Sequence, residues 1–567
     1  MRFLLATVLF IIAISLLLLG LAQRTIWAPP EEYSISLSLT ADKPYLVIMP
    51  EQLALLPGDV TVTASGADSV FIAEGNSADV AAWIGESEHY EVIKNKSGSS
   101  LVIHEVVGTE DFDSPIGSDL WQNEVVAQRF ASLTVPEGSN RAIILASDGF
   151  DPTPSNIGLS WPIVTSTVIS DIFLGVGSSV LLAAIVLNLL ALRRMIINRG
   201  PRRKLPKAPR GPQYRPKKGK PALPPRGRRS ARRNMIAVLA GVGLTFSLSA
   251  CQISAAPTAE PTPSPSESAT SEVIPPVATL SQVKRILRDV AATVELADSD
   301  TDLQLLATRV SGPALKFREA QYLLMSKSPE VPPPAPISSS AISISLPASS
   351  NVWPRSIMVV TEGESDLPQM LVLQQNSPRE KYKLWYNIPL LPGSEIPAVP
   401  APEIGAIPVE PNSLFLKLPP EQLADAFGEV IDNGASSEKY SLFDLSGDEF
   451  YEQISSSQQE QIAKLKRASI RFSHDLGDPN VIALSTSDSG ALVAVLMTDS
   501  YLIKPTKANS AVTVTGDEEL LLGVEGSIKG VRTTYGDMLL FYVPASTSED
   551  RIKLLGATQV LLAIRAL

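Results

Sequence analysis

The chain has very few of the residues that build disulfides and metal centres. Among 567 residues there is one cysteine, Cys251, and there are three histidines, His89, His104 and His474. A single cysteine excludes an intramolecular disulfide. Zinc and iron centres usually take several cysteine or histidine ligands, so the sequence gives no basis for a metal ion or another cofactor. The length allows three or four domains, and 46 prolines favour linkers between them.

Acidic residues are missing from one long stretch. Between Arg193 and Asn234 there are seventeen Lys or Arg residues and no Asp or Glu, while the rest of the chain carries 31 basic and 59 acidic residues. Pro and Gly fill much of this stretch. We therefore expect residues 193–234 to form a disordered loop, and the positive charge favours the cytoplasmic side of a membrane.

Two kinds of anionic partner fit this basic loop. Nucleic acid is disfavoured, because the loop contains one aromatic residue, Tyr214, for stacking on bases and is flanked by apolar segments. Anionic lipid head groups are the nearer partner, since each basic residue near the membrane surface contributes about 1 kcal/mol. The residues expected to contact head groups are Arg193, Arg194, Arg202, Arg203 and Lys204.

Two apolar runs are long enough to cross a bilayer. Phe3 to Ala22 and Ile172 to Leu192 contain no charged residue. The first run could be a signal peptide cleaved after Ala22, but its length favours a retained anchor, so residues 1–22 are predicted to be a transmembrane helix or signal anchor. Residues 164–192 are predicted to be a transmembrane helix. With residues 193 onward in the cytoplasm, residues 23–163 lie outside the cell.

A third apolar run, Met235 to Ala250, ends in Leu248-Ser249-Ala250-Cys251. As a helix it would be about 24 Å long, against about 30 Å for a hydrocarbon core, which suits a signal peptide better than a spanning helix. The ending resembles the lipobox of bacterial lipoproteins, which implies that Cys251 carries a diacylglycerol and that the chain is cut before it. A lipoprotein signal normally begins a chain, whereas segment 235–251 is internal. The alternative is an uncleaved third membrane helix.

The region 23–163 has the pattern of a β domain. Tyr33, Ile35 and Leu37 alternate with serines, as in a half-buried strand. Regular short strands predict a mainly-β extracytoplasmic domain with an antiparallel sheet of sandwich type. The acidic residues Glu110, Asp111 and Asp113 lack calcium-loop spacing and are interpreted as a solvated loop. Further strands are predicted at 59–64, 70–73, 89–93, 101–107, 131–135 and 141–146.

After a Pro/Ser/Thr-rich linker at 252–277, the pattern of helices followed by strands occurs twice, in 278–411 and in 412–567. This order predicts tandem α+β domains. Helices are predicted at 283–294, 302–310, from Pro313, at 423–431 and, after a capping box at 446–449, to about residue 466. Strands are predicted at 341–346, 356–361, 370–374, 381–387, 469–473, 481–486, 491–498, 511–515, 520–524, 538–543 and 559–564.

Three short motifs carry a resemblance to a known family: Gly117-Ser118-Asp119-Leu120-Trp121, Trp353-Pro354-Arg355 and Tyr382-Lys383-Leu384-Trp385. With the lipobox, they resemble uncharacterised actinobacterial membrane-anchored envelope proteins. The helices followed by a long sheet look like the nuclear-transport-factor-two-like (SnoaL-like) cone. The resemblance implies an envelope location and a concave, mostly apolar pocket, and it supplies no catalytic residue.

No catalytic residue or metal site is predicted. His474 and Asp475 are adjacent on a predicted strand, so their side chains point to opposite faces, which is poor geometry for a dyad. The sequence predicts a multi-pass bacterial membrane protein with both folded regions extracytoplasmic and a non-catalytic binding or scaffolding role. Its expected partners are membrane lipids and an envelope protein or cell-wall component. The alternative is an envelope hydrolase or isomerase that uses the cone pocket; a sensor is disfavoured, because the inner loop has no recognisable domain.

Overall fold

A computed structural model of the chain forms two compact units. One contains Met1–Ala28 and Ser166–Glu272, and the other contains Pro29–Thr165 and Val273–Leu567. The residues that the structure describes are 2–28, 30, 32–95, 100–138, 140–163, 168–198, 274–340, 342–362, 368–507 and 510–567.

Among the described residues up to 198 there are four helices and eight strands. In chain order they are α1 (Arg2–Thr25), β1 (Glu32–Ser38), β2 (Tyr45–Ile48), α2 (Pro50–Leu53), β3 (Val60–Asn76), α3 (Ser77–Ile84), β4 (His89–Lys94), β5 (Leu101–Val106), β6 (Asn123–Val135), β7 (Arg141–Ala146), β8 (Asn156–Pro162) and α4 (Val168–Asn198).

Helices α1 and α4 form the first unit, and they pack against each other at small residues. A Cβ atom added at Gly20 would lie 3.0 Å from Leu174 Cγ, and one added at Gly177 would lie 3.0 Å from Leu17 Cγ. Glycine therefore lets the two backbones approach closely, as in helix pairs within membranes. By length and composition, both helices could cross a membrane.

In the second unit, residues 32–162 form one curled eight-stranded sheet. The strand order is β1-β8-β3-β7-β2-β4-β5, β6 pairs with β3, and the edge strands β1 and β5 lie close to each other. One face of all eight strands surrounds a single apolar core. The predicted mainly-β region is confirmed. The sheet is antiparallel at every strand pair except β2 and β4, which run parallel, with α3 in the connection between them. The predicted sandwich is wrong, because the strands form one sheet.

The elements after residue 273 are helices followed by antiparallel strands, and this order occurs twice. They are α5 (Leu280–Asp300), α6 (Leu303–Ala307), α7 (Gly312–Lys327), β9 (Ile342–Pro347), β10 (Arg355–Thr361), β11 (Gln369–Gln375), β12 (Lys383–Pro389), α8 (Leu423–Asn433), α9 (Glu449–Lys464), β13 (Ala468–Leu476), β14 (Ile482–Ser485), β15 (Ala491–Pro505), β16 (Val512–Thr513), α10 (Asp517–Leu522), β17 (Gly526–Ser527), β18 (Val531–Val543) and β19 (Lys553–Ala566).

The two main sheets of this C-terminal region share a core. A four-stranded sheet, β12-β11-β10-β9, packs with α5 to α7, and a five-stranded sheet contains β13-β15-β18-β19 with β14 beside β15. Along β15, Leu492 and Leu496 belong to the core formed with the first sheet, whereas Val493 and Val495 belong to the core under α8 and α9. The five-stranded sheet is therefore covered on both faces.

The predicted helices and antiparallel sheets of the C-terminal region are confirmed, with two local corrections. The strand predicted at 520–524 is wrong, because the first three of these residues end α10. The cap of α9 is Asp448, whose carboxylate accepts from the Tyr451 backbone N–H at 2.9 Å, rather than Ser446. Ser446 instead bonds to Asp444.

Candidate functional site

The sheet region 32–162 and the C-terminal region meet at a buried polar interface centred on Asp119. Arg309 donates to this carboxylate twice, from Nη1 to Oδ2 at 2.6 Å and from Nη2 to Oδ1 at 3.3 Å. The backbone N–H of Tyr382 donates to Oδ2 at 2.7 Å. Only 2% of Asp119 is exposed. A bidentate, charge-assisted arrangement of this kind fixes both distance and orientation.

The first turns of α5 contact the same loop. Gln282 closes the capping box of α5, with its Oε1 accepting from the Thr279 backbone N–H at 3.0 Å. Its Nε2 is left free to donate to the carbonyls of Asp119 and Leu120 at 3.2 and 3.0 Å. One turn later, Arg285 donates to the Trp121 carbonyl at 2.6 Å. The start of α5 is thus bound to loop 119–121.

Helix α3 is held at both ends by arginines of the C-terminal region. In its first turn, Asp79 Oδ1 accepts from Arg355 Nη1 at 2.6 Å. At its other end, Arg379 donates to the carbonyls of Trp83 and Ile84 at 3.0 and 3.1 Å, where a cation also complements the helix dipole. Burial raises the pKa of Asp79, and the neighbouring Arg355 opposes that rise.

These contacts make the interface rigid and sensitive to change. Removing one partner of a buried ion pair leaves the other charge uncompensated, which costs about 3–5 kcal/mol. Arg309 and Arg355 are 5% and 1% exposed, so both pairs are shielded from solvent. The stacking of the Arg355 guanidinium on the Trp353 ring, at 3.7 Å from its centroid, adds a further contact.

The three motifs quoted for the family resemblance all reach this interface. Asp119, Arg355 and Tyr382 each belong to one of them. Sequence reasoning used the motifs only as a resemblance and assigned them no contact. It missed the other partners, which no local pattern marks: Asp79, Gln282, Arg285, Arg309 and Arg379.

A second buried polar cluster surrounds His474 inside the C-terminal region. His474 Nδ1 lies 3.1 Å from Asp432 Oδ1, and His474 Nε2 lies 3.3 Å from Asp499 Oδ1. Asp499 also accepts from Gln559 at 3.3 Å, and Asp537 lies fully buried beside them. His474 therefore pairs with residues distant in sequence, while the exposed Asp475 accepts from Ser473 at 2.7 Å.

The groups of this cluster hold protons more tightly than usual. Burial lowers the pKa of His474, but the contact with Asp432 and the charges of Asp499 and Asp537 outweigh it and raise the pKa. Burial, with repulsion from Asp499, raises the pKa of Asp537 to about 8. A Cβ added at Gly428 of α8 would lie 2.3 Å from His474 Cβ, so the helix packs directly over the imidazole. The cluster belongs to the packed interior, and His474 and Asp537 keep their protons to a higher pH than they would in water.

The predicted lipid-contact residues fall only partly in the described chain. Arg193 and Arg194 lie exposed near the end of α4. The other predicted sites lie outside the described residues: Arg202, Arg203, Lys204, Leu248, Ser249, Ala250 and Cys251. The same is true of the basic loop after residue 198 and of the linker up to residue 273.

Within the described ranges there is no group of three His, Cys, Asp or Glu side chains that could hold a metal ion. The acidic residues considered for calcium have other partners. Glu110 accepts from the Glu86 backbone N–H at 2.9 Å and lies 3.4 Å from Arg379 Nη2, so it belongs to the rim of the interface. Asp113 accepts from the Ser114 backbone N–H at 2.7 Å.

Hollows lined mainly by apolar side chains lie in both folded regions. A groove of about 800 Å³ lies where β1 begins and β8 ends. In the C-terminal region, a crevice of about 190 Å³ contains Arg318, whose guanidinium is bound to Asp298 and to the Ala335 carbonyl. The groove is lined by Tyr33, Leu55, Leu56, Pro57, Gly58, Glu137, Pro162 and Ile163.

These features define a two-part body in which a β-sheet region and a helix-and-sheet region are joined by buried ion pairs. Residues 274–564, just over half of the chain, match the model of a family described as a domain of unknown function, DUF8094. The chain therefore belongs to this family. No curated protein and no solved structure matches the chain.

Proposed function

We propose that the protein is a membrane-anchored scaffold of the bacterial cell envelope, with both folded regions at the outer face of the cytoplasmic membrane. The observation that carries this proposal is the interface at Asp119. Its ion pairs require residues 32–162 and 274–567 to occupy the same compartment. A polar, rigid body of this kind suits a binding or scaffolding role, whose partner is an envelope protein or a cell-wall component.

Chain connectivity supports the proposed membrane arrangement. The sheet region lies between α1 and α4, so a crossing by α4 puts residue 199 on the side opposite to the sheet. The chain must return before residue 274 for Arg309 to reach Asp119. The apolar segment 235–251 lies in this interval and supplies a crossing or export signal, with lipidation of Cys251 following from its lipobox.

Contact with membrane lipids is the second part of the proposal. The close packing of α1 on α4 supports a retained α1 rather than a signal peptide cleaved after Ala22. The exposed Arg193 and Arg194 then contact anionic head groups of the inner leaflet. The apolar groove that includes Tyr33 and Ile163 has the lining that lipid at the outer surface would contact.

Cysteine accessibility tests the sidedness directly, because the chain has one native cysteine. In a Cys251→Ala background, single cysteines are introduced as Asp68→Cys, Ser469→Cys and Ser230→Cys. The first two positions are exposed in the two folded regions. A membrane-impermeant maleimide should label them in intact cells, and it should label the Ser230→Cys variant only after permeabilisation. Labelling of the basic loop in intact cells, or protection of the Ser469→Cys variant, would contradict the proposal.

Lipidation has its own test. Cells are grown with radiolabelled palmitate, and the wild type is compared with the Cys251→Ala variant. We expect label in the wild-type protein and none in the variant, because the thiol is the acceptor in the lipobox. Equal incorporation in both, or none in the wild type, would leave segment 235–251 as an uncleaved membrane helix.

A further inference from the structure

We propose that the interface is a docking surface that holds residues 274–567 on residues 32–162 without the covalent connection between them. The protein then works as a complex of two chains once the connection between residues 199 and 273 is cut. This inference rests on the proposed function, since the lipobox predicts such a cut before Cys251. The partner of the sheet region is accordingly the DUF8094 region, supplied as a separate chain.

The sequence of the connection favours two separable modules. Segment 235–251, preceded by Arg232 and Arg233, resembles a lipoprotein signal, which normally begins a chain. The bonds described above that join the two regions run from residues 79–121 to residues 282–382, so cutting the connection removes none of these bonds.

The charges of the interface are divided between the two sides. The C-terminal region contributes four cations, Arg285, Arg309, Arg355 and Arg379, which are the donors in the contacts described above. The sheet region contributes the carboxylates of Asp79, Asp119 and Glu110, together with backbone carbonyls. Such complementarity selects a partner and fixes its orientation.

An apolar contact lies beside these ion pairs. Trp353 of the C-terminal region packs against a cluster of the sheet region that includes Tyr45, Trp83 and Trp121. Trp83 and Trp121 have ring centroids 5.8 Å apart and are almost fully buried. Aromatic and arginine anchors surrounded by polar contacts are typical of interfaces between separate chains.

The test cuts the full chain after it has folded. A site for a specific protease is inserted between Thr270 and Ser271, with different tags at the two ends and Cys251→Ala to prevent lipid from retaining the C-terminal piece. The detergent-solubilised protein is cut and bound through its N-terminal tag. The readout is the fraction of C-terminal fragment that stays bound at increasing dilution.

We expect the parent to retain its fragment and the Arg309→Met variant to bind it at least about 100-fold more weakly, because Asp119 is left buried and unpaired. Arg285 is partly buried and donates only to backbone carbonyls, so Arg285→Ala should weaken retention less than Arg309→Met does. This milder variant keeps the test usable if Arg309→Met misfolds. Matched controls are Arg471→Met and Asp68→Ala, whose side chains are exposed and should leave retention unchanged.

Release of the fragment from the cut parent as readily as from the Arg309→Met variant would overturn the inference. The maleimide experiment separates this failure from failure of the proposed function. If the fragment is released while the Ser469→Cys variant is labelled from outside, the proposed location stands and docking fails. If the fragment is retained while that position is protected, docking stands and the proposed location fails.

Discussion

Replacing Asp537 by asparagine should stabilise the C-terminal region and reduce the pH dependence of its stability. Asp537 is fully buried in β18, where it pairs in register with Gln559 of β19. Among the described residues, neither of its carboxylate oxygens meets the geometry of a full hydrogen bond; the Gln559 amide, which donates to Asp499, lies close enough to oppose the rise in the Asp537 pKa. The charged groups around it are His474 of β13, Asp499 of β15 and, beyond the imidazole, Asp432 of α8.

The size of the effect follows from the pKa of Asp537, which rises from 3.8 to about 8 on folding. A group whose folded pKa is raised favours the fold at low pH, and this contribution is lost as pH rises from 3.8 towards 8. Each unit of difference is worth about 1.4 kcal/mol, so keeping this carboxyl protonated costs up to about 4 kcal/mol at pH 7 and about 2 kcal/mol at pH 5. Asparagine cannot ionise, so the Asp537→Asn variant avoids this cost.

The neighbouring groups act in the same direction and remain in the variant. The pKa of Asp499 is also raised, by burial, with the His474 charge opposing. The raised pKa of His474 gives stability that is present below pH 6.5 and lost as pH rises through the folded value. The variant should therefore show a smaller decline in stability with pH, and not a flat profile.

The assay is hydrogen–deuterium exchange of peptides that cover β13 and β18 in the detergent-solubilised full chain, corrected for intrinsic exchange rates. Between pH 5 and pH 8 the opening free energy of the wild type should fall, and the gain in the Asp537→Asn variant should increase with pH. Asp475→Asn, at an exposed position beside the cluster, is the control and should match the wild type. Equal pH dependence in Asp537→Asn and wild type, or weaker protection in the variant at pH 7, would refute the reasoning.

Two further substitutions test the packing described above. Gly428→Ala places a Cβ 2.3 Å from His474 Cβ, so α8 must shift. We expect the free energy of unfolding, measured in urea, to fall by about 1–3 kcal/mol. An unchanged free energy of unfolding would show that α8 adjusts freely. Arg355→Met leaves the Asp79 carboxylate buried without its cation and should cost about 3–5 kcal/mol, whereas Asp79→Asn combined with Arg355→Met should recover much of it in thermal unfolding; equal loss in the single and double variants would contradict this.

Burial on one or both faces did not decide which strands were predicted: β10 and β11 are buried at every residue and were predicted, whereas β8, whose burial alternates, was missed. Helix α5 was found because its apolar residues recur at helical spacing along one face. Strand β2 was missed because an apolar run of only four residues has no period that distinguishes a strand. Strand β3 was split in two, because its polar centre between Ser65 and Ser69 resembles a turn, whereas the strand continues there with a shift in register.

The polar sites were harder to predict from the sequence, because the residues that form them are far apart along the chain. Asp119 and Arg309 are separated by 190 residues, and Asp79 and Arg355 by 276. A buried arginine has no local pattern that separates it from a surface arginine, so only the tertiary fold identifies it. His474 was correctly separated from Asp475 by strand geometry, but its true neighbours required the pairing of β13 with β15 and the position of α8.

The ion pairs of this interface are explained if each region must stay soluble while its docking face is still exposed. An apolar docking face of the same extent would be exposed on the separate DUF8094 region and would favour aggregation. Arginines and carboxylates remain hydrated while unpaired, and they contribute to specificity once Arg309 reaches Asp119 and Arg355 reaches Asp79. The division of charge between the two sides therefore supports two parts that fold first and dock afterwards.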